Sequence, residues 1–139
     1  MKAVADTNIL VSGLLWQGAP RQVLDAARAS QVDLFTSAAL LAELEEALGR
    51  DKFAKRLKSA GVTARELVLG YAALAKLAEP AAIPSVIAED PDDDAVLACA
   101  VGAAAEVIVS GDSHLLGLKQ YQDIDILTAT ELLARLPAE

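Results

Sequence analysis

Val107-Ile108-Val109-Ser110-Gly111-Asp112 sets three β-branched apolar residues in a row and follows them with a small polar turn. A strand that is wet on one face alternates apolar and polar side chains. An unbroken apolar run this short fits a strand covered on both faces, as in a parallel sheet. Lys2 to Ala5 is a second such strand and runs into Asp6; Val32 to Phe35 and Ile124 to Leu127 are two more. Helical stretches lie between them. Arg21 to Ala29 is one, and Ser37 to Leu48 another, with Leu40, Leu41, Leu44, Ala47 and Leu48 at helical spacing before Gly49 stops it. The basic stretch Arg50 to Ser59 reads as a further short helix. Thr63-Ala64-Arg65-Glu66 and Thr128-Ala129-Thr130-Glu131 have the spacing of capping boxes, the first opening a helix through Lys76 and the second the terminal helix. Pro80 and Pro84 bracket an extended piece, and Pro91 to Asp94 lead into an alanine-rich helix from Ala95 to Ala105. Alternating strands and helices predict an α/β fold: one domain over residues 1–139, with a central, mostly parallel sheet of four to five strands flanked by helices on both faces.

Composition bounds the function classes. The chain has 139 residues, 54% hydrophobic, 23% charged and 4% aromatic, which suits one domain and excludes intrinsic disorder. The single cysteine, Cys99, allows no internal disulfide and no Cys/His zinc site; it reads as a small core residue. No run reaches the ~18 apolar residues of a membrane helix, and Asp6 interrupts what would be the apolar core of a secretory signal. A soluble protein of the cytoplasm, without membrane association, is the expectation. A net charge of −8 opposes indiscriminate binding to polyanions.

Several acids sit where a solvated face would not put them. In an open parallel sheet, ligands bind beyond the carboxyl ends of the strands. Asp6 and Asp112 both fall there, although either alone is an ordinary helix-capping residue. On the alanine-rich helix, Asp94 shares a face with Leu97, Ala98 and Val101, while Asp93 shares a neighbouring one with Val96, Leu97 and Ala100. Helical geometry leaves both open, and Asp90 and Asp92 read as a solvated cap that complements the helix dipole. On the Ser37–Leu48 helix, Glu43 and Glu45 border the apolar stripe on opposite sides and periodicity does not choose between them. Carboxylates gathered away from water require a cation among them. An all-oxygen donor set suits Mg²⁺ or Mn²⁺ and points to hydrolysis of a phosphate ester.

Four segments in order carry a resemblance: Val4-Ala5-Asp6-Thr7-Asn8 with Leu15-Trp16-Gln17-Gly18-Ala19-Pro20, Ser37 through Leu48, Asp90 through Ala98, and Val109-Ser110-Gly111-Asp112 with Leu115-Leu116. The chain resembles PIN-domain proteins, particularly bacterial ribonuclease toxins of the VapC type, over nearly its whole length. The resemblance implies a metal-dependent endoribonuclease whose acids are Asp6, Glu43, Asp94 and Asp112. It prefers Glu43 over Glu45 and Asp94 over Asp93. Asn8, Ser110 and Asp93 become candidates for orienting carboxylates or water. A Mg²⁺ or Mn²⁺ cofactor, an RNA substrate cut to 3′-hydroxyl and 5′-phosphate ends, a small antitoxin partner and a homodimer are implied in the same way.

Half of the basic residues (Arg50, Lys52, Lys55, Arg56, Lys58 and Arg65) fall within sixteen positions against one acid, Asp51. This reads either as a solvated helix face or as a basic wall beside the Glu43 helix that would position an RNA chain. Trp16 and Leu15 read as core or as an interface patch, and His114, the single histidine, as a residue with little prospect of acid–base work. Two other classes compete. A haloacid-dehalogenase-like phosphohydrolase needs a second acid two residues after the first, where Asn8 stands here. A non-catalytic PIN-type binding module would have no use for four retained acids. A dinucleotide-binding fold is disfavoured, since no glycine-rich loop follows the first strand.

Overall fold

A computed structural model describes residues 1–84 and 91–137, the side chains at 91 and 92 excepted. Its elements run β1 (Lys2–Ala5), α1 (Thr7–Leu15), α2 (Ala19–Arg28), β2 (Asp33–Thr36), α3 (Ala38–Leu48), α4 (Asp51–Ala60), α5 (Ala64–Leu74), β3 (Lys76–Leu77), α6 (Pro91–Gly102), β4 (Val107–Val109), α7 (Ser113–Leu118), β5 (Gln120–Tyr121), β6 (Ile124–Leu127) and α8 (Ala129–Arg135). The described residues form one sheet in the order β3-β2-β1-β4-β6-β5, parallel throughout except for the β5–β6 pair. The expectation of four to five strands becomes six, because β3 and β5 contribute two residues each, too few to leave a periodic pattern.

Alternation along the strands builds two cores. Ala3 and Ala5 of β1, Val107 and Val109 of β4, Leu34 of β2 and Leu127 of β6 face one cluster, shared with α1, α2, α5 and α8. Val4, Ile108 and Ile126 face the other, built with α6 and with Leu115 of α7. Val107, Ile108 and Val109 are each 1% exposed or less, as their unbroken apolar run predicts for a central strand. Strand order reverses between β1 and β4. From β1 the chain winds out to β2 and β3, returns through α6 to β4, and then winds out to β6 and β5.

Local signals explain most helix boundaries. Asp6, Ser37, Thr63 and Thr128 each cap the helix that follows, and both capping boxes form reciprocally. The helix expected to run to Lys76 stops at Leu74, because Lys76 pairs with Phe35 at the sheet edge. The alanine-rich helix starts at Pro91 rather than Ala95: proline suits the first helical position, so the acids there belong to the first turn of α6. Asp90 and the side chain of Asp92 lie outside the described residues. Helix α1 has no basic residue in its last turn. Its final carbonyls are instead met by guanidiniums from other helices, Arg21 donating to Gly13 O and Leu14 O and Arg56 Nε to Leu15 O at 2.8 Å.

The end of α6 touches another backbone. A Cβ built on Gly102 would lie 2.0 Å from Glu79 O and 3.0 Å from Ala81 N, and Ala81 N donates to Ala98 O at 3.0 Å. Gly70, exposed on α5, has nothing within 4 Å of its would-be Cβ. Gly102→Ala is therefore expected to destabilise the fold by about 1–3 kcal/mol. Gly70→Ala should stabilise it by about 0.5–1 kcal/mol. Opposite shifts of the urea midpoint at unchanged slope check this pair.

Candidate active site at the carboxyl ends of β1 and β4

Ala5 and Val109 are register partners, so the next residue of each strand, Asp6 and Ser110, emerge side by side at the point where strand order reverses. Asp6 N donates to Val109 O at 3.0 Å, its Oδ1 accepts from Ile9 N at 2.9 Å, and its Oδ2 accepts from Ser110 Oγ. Ser110 Oγ in turn accepts from Asp112 N at 2.9 Å. One buried hydroxyl thus ties the two strand-end acids together. Asp112 Oδ1 accepts from His114 N and Leu115 N, which opens α7 and fixes that carboxylate at the head of the helix.

Asp6 is 4% exposed. Burial pushes its carboxyl above the ordinary value, the bonds from Ser110 and Ile9 oppose that rise, and the neighbouring Asp112 charge adds to it. The surrounding cleft, of about 40 Å³, is lined by Asp6, Thr7, Asn8, Glu43, Asp93, Val96 and Asp112. Glu43 reaches it from the second turn of α3, whereas Glu45 points to Arg65 of α5, 4.0 Å away. Of the two glutamates that periodicity left open, packing brings Glu43 to the cleft and leaves Glu45 outside its lining.

The preference for Asp94 is not matched by the placement of side chains. Asp93 lines the cleft and is 6% exposed, while Asp94 is half-buried and outside the lining. The cause is the rotation of α6. Its buried stripe is Val96, Leu97, Cys99 and Ala100, at 2%, 0%, 0% and 0% exposure, whereas Ala98 and Val101 on the Asp94 side are half-buried. Asp93 stands one turn ahead of the buried stripe, and Asp94 is turned about 100° away. Asn8 stands exposed at the rim, and Ser110 lies beneath the cleft on Asp6.

Two residues that the sequence did not favour also converge here. His114 Nδ1 lies 3.7 Å from Asp112 Oδ1 and 3.9 Å from Asp93 Oδ2. One ligand atom from each of Asp93, Asp112 and His114 falls within 4.8 Å of the others. Its place two residues after a strand-end acid, in the first turn of a helix, was the available signal. Thr7 is the second: its buried Oγ1 has no hydrogen-bond partner among the described residues. The oxygen donors of this set fit a hard divalent cation, and the His114 imidazole adds one nitrogen beside them. They are carboxylates, an amide and a hydroxyl, one of the acids is too buried to ionise cheaply, and the space admits an ion with a little water.

The basic helix α4 does not border this cleft. Its cations are exposed, Arg50 pairs with Glu46 at 3.5 Å, and Arg56 is held on the last carbonyl of α1. Since Asp6 caps the opposite end of α1, the helix separates them by roughly 14 Å. A larger open hollow of about 320 Å³, lined by residues that include Val101, Glu106, Gln122 and Asp123, lies at the amino ends of β4 and β6.

Comparison with known proteins bears on this geometry. No curated protein matches the sequence. Among solved structures the chain is similar to VapBC2 from Rickettsia felis, solved bound to a DNA fragment from their promoter. The TM-score is 0.61 at 14% identity, over 91% of this chain and 97% of that one. The PIN domain of T. brucei RRP44 is similar at a TM-score of 0.47 and 16% identity, over 95% of this chain and 78% of that one. The sequence profile of the PIN domain matches residues 2–114, the span that begins at β1 and ends at His114 beside the cleft. On that match the chain belongs to the PIN domain family.

Proposed function

We propose that residues 1–139 act as a single PIN domain that hydrolyses RNA phosphodiesters internally with the help of Mg²⁺ or Mn²⁺, as the toxin of a type II toxin–antitoxin pair. The observation that carries this reading is the convergence of Asp6, Glu43, Asp93 and Asp112 on one cleft at the strand-order reversal. Those four carboxylates would hold the ion, with Asp93 in the position that the family resemblance had given to Asp94. When bound, such an ion would supply Lewis-acid charge to phosphate oxygens and would lower the pKa of a bound water. Ser110 holds Asp6 Oδ2 and the Asp112 backbone in place, and the amide of Asn8 orients water or phosphate at the rim. Arg50, Lys52, Lys55, Arg56 and Lys58 draw the RNA chain by its phosphates. Family membership and the fold shared with VapBC2 support a small antitoxin as partner, and the toxin acts as a homodimer in the cytoplasm. Among the described residues no helix is long and apolar enough to cross a membrane.

Asp6→Asn and Asp93→Asn are each expected to lower cleavage of a labelled RNA by at least about 100-fold. Asp94→Asn should stay within a few-fold of the parent, and EDTA should abolish cleavage. Equal loss at Asp93 and Asp94, or cleavage that survives EDTA, would contradict the scheme.

The buried Asp6 also predicts a pH dependence. Its carboxyl titrates above the ordinary value in the folded state. The stability it allows is therefore complete below the unfolded-state value and is lost as pH rises through the folded one. Metal-free Asp6→Asn, which cannot ionise, should gain thermal stability relative to the parent between acid and neutral pH. Added Mn²⁺ should raise the melting temperature of the parent but not of this variant.

Replacing Lys52, Lys55 and Lys58 together by Gln should weaken RNA binding. It should also make the slope of log K against log salt shallower by about 2. An unchanged slope in filter binding would remove α4 from the RNA path.

A further inference from the structure

Trp16 is the single tryptophan of the chain and is 43% exposed, although its neighbour Leu15 is 3% exposed. It leaves the end of α1 with extended backbone. The ring stands edge-on to Phe53 of α4, with centroids 5.9 Å apart and planes at 60°. Arg56 Cζ lies 5.9 Å from the Trp16 centroid, and Lys52 Nζ lies 5.1 Å from that of Phe53. Lys52 and Arg56 are one helical turn apart and so share a face of α4. The result is an exposed aromatic surface set among cations.

The charge around it is opposite to that of the molecule. Residues 50–58 carry five cations and one acid, in a chain whose net charge is −8. Among the described residues the other exposed large apolar side chains are Met1, Leu69 and Leu77, none of them on α4. A helix or strand of a partner protein would need a continuous apolar face, and α4 shows solvent its lysines instead. An aromatic face flanked by cations fits a ligand that alternates flat bases with phosphates.

We infer that Trp16, with Arg56 and Lys52, forms a stacking subsite for a base of single-stranded RNA at the far end of α1 from the cleft. The inference rests on the nuclease reading for its substrate class and adds where the strand is gripped. Trp16 follows Asp6 by ten residues along α1, roughly 15 Å of helix. A stacked strand at about 3.4 Å per nucleotide spans that distance in about four nucleotides. The bond from Arg56 Nε to Leu15 O fixes the guanidinium near the Trp16 ring, so the platform is already formed without RNA.

The absence of a second tryptophan makes the test direct. Full-length Asp6→Asn protein, which should not cut, is titrated with an unstructured 12-nucleotide RNA while Trp16 fluorescence is followed. Inorganic polyphosphate serves as the charge control. Saturable quenching by the RNA but not by polyphosphate is expected. Trp16→Leu should weaken affinity for a labelled RNA by about 5- to 150-fold, and Trp16→Phe, which retains an aromatic face, should restore most of it. Equal affinity of the Trp16→Leu variant for the labelled RNA overturns the subsite. So does equal quenching by polyphosphate, or fluorescence that responds to self-association of the protein and not to RNA. Quenching by RNA together with no cleavage by the parent would retain the subsite and reject the nuclease reading. Cleavage with silent fluorescence would do the reverse.

Discussion

The β1–β4 register controls the rest of the site. Pairing Ala5 with Val109 delivers Asp6 and Ser110 to the same edge of the sheet, where the serine hydroxyl bonds one carboxylate and accepts from the backbone of the next acid, Asp112. A slip of one residue would turn Ala3, Val4 and Ala5 to the wrong cores and break this bridge. Both strands are buried on both faces, so a slip would expose or misplace every side chain they contribute to the cores. Packing energy from two hydrophobic cores therefore holds in place a carboxylate that burial alone disfavours.

Helix α1 links that centre to the basic side of the molecule. Its amino end is capped by Asp6 in the cleft, and its carboxyl end receives Arg21 and Arg56. Negative charge at the first end and positive charge at the last both complement the helix dipole. An acid-lined centre and a cationic helix are thereby kept at opposite ends of one short element. The overall negative charge and a local excess of positive charge on α4 coexist because the cleft and the cationic helix stand farther apart than the ~8–10 Å over which salt screens exposed charges.

Much of this was legible from residue order. The apolar run of β4, the two capping boxes and the positions of Asp6 and Asp112 just past strands are local signals, and the structure repeats them with shifts of a few residues. The pair Asp93 and Asp94 was not legible in that way. Both stand ahead of apolar residues at helical spacing, and the choice depends on how α6 is rotated against β1 and β4. The same holds for Glu43, which lines the cleft, and Glu45, which lies 4.0 Å from Arg65 of α5. His114, discounted as a lone histidine, lies beside two acids because α7 begins where β4 ends.

Residue order by itself determined most of the secondary elements, the α/β class and a short list of acids, because hydrophobic period, caps and turn residues act within a few positions of one another. The tertiary structure alone decided that Asp93 rather than its neighbour Asp94 lines the cleft, which arginines close α1, and that Trp16 faces solvent. Those outcomes depend on the rotation and approach of helices packed from distant parts of the chain, where one residue of difference is about 100° of direction and periodicity is nearly indifferent.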